Sequence, residues 1–292
     1  MQWQEIGWNG LRCEVPRSWG VAQTGRRYLL LEEKSEPVME IKWAPVKGRF
    51  SHRSQLRRLA VQCRKKIGKT ITEEPLPASW KTPLSAFRAV AFSWQDQSLN
   101  GFGAVLFCSS CKTATLIQFF QKDSTHPPSI VPHILNTFQD HPRENKTLWA
   151  LFDIRALIPS EFNLCTSRFD PGYFELVFLY KSQKITLQRW GPASVLLQNR
   201  DLEEFAREAG DYPSNAPRSA VSVGPGRVEW RGTLVASWRS RLYSRILRKP
   251  ACVLQRFWHI KEKNRILGVK LEAKKSVDQR LVNGICRGYE CI

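Results

Sequence analysis

At 292 residues the chain is long for one ordinary domain and comfortable for two. A hydrophobic fraction of 42% with 11% aromatics excludes a disordered polymer, and the net charge of +19 predicts attraction to a polyanion: nucleic acid, an anionic membrane or an acidic protein. No apolar run approaches the about 20 residues of a membrane span, and MQWQEIGWNGLRCEVP lacks a basic start followed by an apolar core, so a soluble, cytoplasmic protein without a secretory signal is expected.

In chain order, a first strand leads into a turn at Val15 and Pro16. A hairpin follows: a β-rich run over 28–32, a turn at Ser35, Glu36 and Pro37, and a second strand over 38–43. Ser54 is placed to cap a helix on which Leu56, Leu59, Ala60 and Cys63 share one face at three- and four-residue spacing. Three strands are expected over 87–94, 103–107 and 113–120, then a short helix near 129–138.

The second half repeats this order. Val15-Pro16-Arg17-Ser18-Trp19 is echoed by Ile158-Pro159-Ser160-Glu161-Phe162, and Glu40 to Pro45 by Leu187 to Pro192. Gln55 to Ala60 returns as Asp201 to Ala206, and Phe92-Ser93-Trp94 as Ala236-Ser237-Trp238, at offsets of 143, 147, 146 and 144. These matches suggest a tandem duplication with domains at 1–142 and 147–292, joined through the polar, Pro-bearing stretch HPRENK. The second hairpin is expected over 174–180 and 184–190, a helix after Asp201 on Leu202, Phe205, Ala206 and Ala209, strands near 228–238, 252–260 and 265–272, and a last helix near 277–285.

Each half then reads β-ββ-α-βββ-α. The expected class is α+β, two tandem repeats, each a mostly antiparallel sheet flanked by two helices. That order, with the V-P-x-x-W start at Val15, Pro16 and Trp19, resembles the PsbP-like fold. The fold is shared by an extrinsic photosystem II protein, a Ran-binding nuclear-import factor and several small bacterial proteins. The resemblance implies a non-enzymatic binding or assembly module and carries over no functional residue.

The most chemically suggestive motif is FCSSCK, with Cys108 and Cys111. A structural zinc site wants four ligands. The other close pair, Cys286 and Cys291, sits at the far end of the second half, so a bridging site would need both pairs to meet. A thioredoxin-type motif would open a helix, whereas a Lys-Thr-Ala-Thr-Leu-Ile strand follows here. The motif therefore reads as a turn. No metal and no cofactor is assigned, with Cys108 and Cys111 the residues that would carry a metal or redox role.

The histidines at 52, 126, 133, 141 and 259 form no H-E-x-x-H or H-x-H pair and read as solvated. Asp201, Glu203, Glu204 and Glu208 read as a solvated helix face. No phosphate loop, dinucleotide fingerprint or nucleophile elbow is present, so a non-enzyme is expected.

The basic residues concentrate late in the chain: residues 227–287 hold sixteen Lys and Arg against four Asp and Glu. The segment 238–249 carries Arg239, Arg241, Tyr243, Arg245, Arg248 and Lys249 beside Arg256, Trp258, Lys261, Lys263 and Arg265, with Trp230, Trp238 and Phe257 nearby. A smaller cluster, Arg57, Arg58, Arg64, Lys65, Lys66 and Lys69, lies on the first-half helix. The expectation is a non-catalytic adaptor that recognises a protein partner through a basic surface. Nucleic-acid binding through the basic-aromatic segment is the alternative.

Overall fold

The computed structural model describes residues 1–67, 71–95, 99–122, 128–142, 144–210, 219–222, 226–233 and 252–292. The chain divides into two units, Met1–Phe152 and Asp153–Ile292. No helix among the described residues is long and apolar enough to cross a membrane.

The first unit opens on a hairpin, β1 (Trp3–Trp8) and β2 (Leu11–Pro16), with strand β10 (Lys146–Leu151) antiparallel to β1. Gly10, at φ +92°, makes the tight β1–β2 turn. Strands β3 (Gly20–Gly25), β4 (Tyr28–Glu33), β5 (Glu36–Pro45), β6 (Thr72–Glu74), β7 (Arg88–Gln95), β8 (Asn100–Phe107) and β9 (Thr113–Gln121) form a seven-stranded sheet in the order β3-β4-β5-β9-β8-β7-β6. Its helices are α1 (His52–Ile67), the single turn α2 (Ala78–Lys81) and α3 (Val131–Thr137).

Alternation along the strands assigns the faces. Phe92, Trp94, Val105 and Phe107 face α1 and pack on its Leu56 and, less buried, Leu59, while Ile41, Ile117, Phe119 and Leu106 point the other way. Helix α1 starts one turn earlier than its apolar spacing suggests: Ser51 rather than Ser54 supplies the capping oxygen, its Oγ accepting from the Ser54 N–H at 3.4 Å.

The second unit pairs β11 (Ile154–Pro159) with β19 (Glu290–Cys291). Its seven-stranded sheet comprises β12 (Asn163–Asp170), β13 (Tyr173–Tyr180), β14 (Gln183–Trp190), β15 (Ser219–Ser222), β16 (Arg227–Thr233), β17 (Cys252–Ile260) and β18 (Arg265–Ala273), in the order β12-β13-β14-β18-β17-β16-β15. Helix α4 (Ala193–Leu196) precedes α5 (Leu202–Ala209), and α6 (Gln279–Arg287) closes the unit. A capping box between Asp201 and Glu204 starts α5, and Phe205 and Ala206 bury against Val228, Trp230 and Phe257. Asp278 starts α6, its carboxylate accepting from Arg280 and Leu281 N–H.

The expected α+β class of two helix-flanked repeats is overturned. The described residues are mostly antiparallel strand, arranged in three sheets, and helix is the minor component: α2 and α4 are four residues long, α3 is seven and α5 eight. The strands that sequence reading missed explain the difference. β3 and β12 lie at sheet edges, and most of their side chains are exposed or half-exposed. An edge strand is held largely by its backbone ladder, so it needs no alternating apolar pattern to exist.

Candidate functional site

The expected basic face of the second half divides into three groups. Arg239, Arg241, Tyr243, Arg245, Arg248 and Lys249 lie outside the described residues. Arg256 and Trp258 are buried. The Arg256 guanidinium donates to Glu229 Oε2, from Nε at 2.9 Å and also from Nη2, and to Asn283 Oδ1 of α6 at 3.0 Å. The Trp258 ring meets Tyr289 edge-on at 5.7 Å. Trp230 and Phe257 are buried beneath α5, so neither offers a stacking face. Arg265 donates to Asp153 Oδ2 at 2.8 Å. Among the described members of this face only Lys261 and Lys263, on a 3-10 turn between β17 and β18, stand exposed.

Glu229 and Asp153 are held charged by these arginines. Burial alone would raise both carboxyls. Hydrogen bonds from Arg256 and Arg231 to Glu229, and from Arg265 and Arg189 to Asp153, more than reverse it and hold them below the usual carboxylate range. These are structural ion pairs.

The first unit carries a basic hollow instead. Helix α1 covers the β7–β8 side of its sheet face and leaves the ends of β5 and β9 open. Register places Lys42 opposite Leu116 and Ala44 opposite Ala114, so these four share the open face. With Val105, Phe50 and Leu59 they line a cleft of about 610 Å³, rimmed by Lys47, Arg49 and Arg58. Lys42 is paired with Glu40 at 2.8 Å. Lys47, Arg49 and Arg58 are exposed and have no ion pair among the described residues. A second hollow shares Arg49, Phe50 and Ser51 and adds His52, Arg88 and Lys112. The cleft thus joins an apolar floor to a rim of unpaired cations. Arg58 was legible as part of the α1 cluster. Lys47 and Arg49 were not, because their role comes from the loop between β5 and α1 folding back beside β9.

The FCSSCK motif does lie on a turn, as its flanking strands suggested. It joins β8 to β9, with Cys108 N–H donating to Thr113 O at 2.9 Å and Lys112 in the left-handed region at φ +56°. Sequence reading missed what stands opposite. Beyond α3, Gln139 forms a two-way bridge with Arg12 (N–H to O at 2.9 and 2.8 Å), which delivers Asp140 and His141 to the turn. Cys111 Sγ donates to Asp140 Oδ2 at 3.0 Å, His141 Nδ1 lies 2.6 Å from Asp140 Oδ1, and Cys108 Sγ lies 3.9 Å from His141 Nδ1. Burial, reinforced by the Asp140 carboxylate, pushes the Cys111 thiol up to about 12. The available signal was an Asp-His pair directly after a short helix. The sequence reading took His141 as solvated and gave Asp140 no role, since Asp140 lies 29 residues from Cys111.

Of the other histidines, His126 lies outside the described residues. His52 bonds Arg88 O at 2.8 Å, and His133 stacks on Trp3 at 3.7 Å and meets Glu14 at 2.9 Å. The cysteines at 13, 108, 111, 165, 252, 286 and 291 are free thiols.

No protein-family model matches the chain, and no curated protein matches it. Among solved structures, a protein from Bacteroides thetaiotaomicron VPI-5482 is similar at TM-score 0.30 and 10% identity. The match covers 54% of this chain and 54% of that one, about half its length. The apo form of TplEi, an immunity protein of T6SS from Pseudomonas aeruginosa, is similar at TM-score 0.36 and 9% identity over 100% of this chain and 97% of that one. The same protein complexed with "L" peptide gives TM-score 0.31 at 9% identity over 99% and 97%. Likenesses this low assign neither a fold family nor a function, and they give no support to the PsbP-like resemblance.

Proposed function

We propose that the protein is a non-catalytic binding protein whose first unit receives an acidic segment of a protein partner in the cleft beside α1. One observation carries the reading: an apolar floor of Ala44, Ala114 and Leu116 next to Lys47, Arg49 and Arg58, three cations with no ion pair among the described residues. An apolar anchor on the partner would fill the floor, and Asp or Glu flanking it would meet the rim. The net charge of +19 would speed encounter with such a partner without fixing its identity.

The test is co-purification from native lysate treated with nuclease, comparing the wild type with the K47E/R49E/R58E variant. The reading expects a protein that survives nuclease, is lost from the variant and weakens as salt is raised. Material that disappears with nuclease would replace it with nucleic-acid binding, whose salt dependence would be steep. A partner retained by the triple variant would remove the cleft from the account.

A further inference from the structure

We propose that Cys108, Cys111, Asp140 and His141 form a binding site for a zinc ion. Each offers one ligand atom, and these atoms all lie within 4.8 Å of one another. A tetrahedral zinc with ligands at about 2.0–2.3 Å sets neighbouring ligand atoms roughly 3.3–3.8 Å apart. Cys111 Sγ stands 3.0 Å from Asp140 Oδ2, His141 Nδ1 2.6 Å from Asp140 Oδ1 and Cys108 Sγ 3.9 Å from His141 Nδ1, so reaching tetrahedral spacing asks for shifts of about 1 Å by side-chain rotation. Two thiols and an imidazole with one carboxylate are the donor set of a borderline-soft ion, and they favour zinc over magnesium or calcium.

A second observation is electrostatic. The Asp140 side chain is only 3% exposed. Among the described residues it has no lysine or arginine partner, only a cysteine thiol and the adjacent imidazole. The other deeply buried carboxylates, Glu229 and Glu272, each have a cationic partner. A buried carboxylate with no permanently charged partner is costly, and a dication would remove that cost.

Both segments that carry the four residues are also tied down by backbone hydrogen bonds. The Cys108–Lys112 turn is closed by the Cys108–Thr113 bond and tied to the cleft loop by Val46 N–H to Lys112 O at 2.7 Å. The opposing segment is pinned by the Gln139–Arg12 bridge. When zinc binds, the thiol protons leave to solvent and both cysteines coordinate as thiolates. The role is structural: the ion would fasten the β8–β9 turn to the segment after α3.

The full-length protein, purified under reducing conditions, is assayed for metal by mass spectrometry and then titrated with cobalt(II) as a spectroscopic stand-in for zinc. One equivalent of zinc per chain is expected, along with a thiolate-to-cobalt charge-transfer band. The C108S/C111S variant should lose both, D140N should bind at least tenfold more weakly, and C165S, at an exposed cysteine, should retain both. No zinc with no thiolate band on titration would overturn the proposal, as would retention of metal by C108S/C111S. Should that variant fail to fold, the wild-type cobalt spectrum still decides.

Discussion

Replacing Arg256 by Ala tests whether this residue serves the fold or a partner. Its side chain is about 10% exposed, and that of Glu229 about 2%. The guanidinium ties Glu229 of β16 to Asn283 of α6. Removing it leaves a buried carboxylate with Arg231 alone, whose side chain is 58% exposed. Breaking a buried pair from one side costs about 3–5 kcal/mol. Because Arg231 remains, the low end applies, about 3 kcal/mol. At about 2–4 °C per kcal/mol for a unit of this size, the melting temperature should fall by on the order of 10 °C. A solvated, partner-facing arginine would cost less than about 1 kcal/mol. The assay is urea and thermal unfolding of wild type, R256A, E229Q and R256M/E229Q. The double variant should lie closer to wild type than the sum of its singles. Glu229 is held below the usual carboxylate range, so its pairing stabilises at neutral pH and is lost as pH falls through the depressed folded value. The gap between wild type and R256A should therefore narrow in acid. A loss under 1 kcal/mol, or a gap independent of pH, would refute the reasoning.

The Asp153→Asn change should destabilise the second unit by about 1–3 kcal/mol at neutral pH, since Asp153 accepts charged hydrogen bonds from Arg189 at 2.6 and 2.9 Å and from Arg265 at 2.8 Å. Its carboxyl is also held low, so wild-type and variant stability curves should converge as the pH is lowered, a point checked by urea midpoints across the acid range. The Gly103→Ala change should cost about 1–3 kcal/mol of stability in the first unit, because the added methyl would stand 2.4 Å from Ile117 O, a backbone atom of the paired strand that cannot rotate away. An unchanged thermal midpoint would show that β8 and β9 are not packed this closely.

The elements most readable from sequence were those carrying both pattern and punctuation. The apolar spacing of Leu202, Phe205, Ala206 and Ala209 after Asp201 matches α5 with its capping box. The hairpin of β13 and β14 turns at Lys181 and Ser182, within the 181–183 gap left between its expected strands, with Gln183 already in β14. Strands such as Gly20–Gly25 and Asn163–Asp170 stayed hidden because their exposed edge positions place no demand on hydrophobicity, and the fold class was misjudged for that reason. The candidate sites were legible only in part. Cys108 and Cys111 announce themselves by spacing, whereas Asp140 and His141 join them through the Gln139–Arg12 bridge, a contact across the chain that no local pattern records. Arg256 looked like surface charge because sequence alone does not show that Glu229 waits across the ladder.

The most direct test of the binding reading places a photo-crosslinking amino acid at Lys47 in the cleft and, in a separate variant, at Gln23 on the exposed β3 edge, followed by irradiation in nuclease-treated native lysate. The account predicts one protein adduct at position 47 whose cross-linked peptide is acidic, with none at position 23 and none when Arg49 and Arg58 are also reversed to Glu. The same adducts at both positions, or none at position 47, would contradict it.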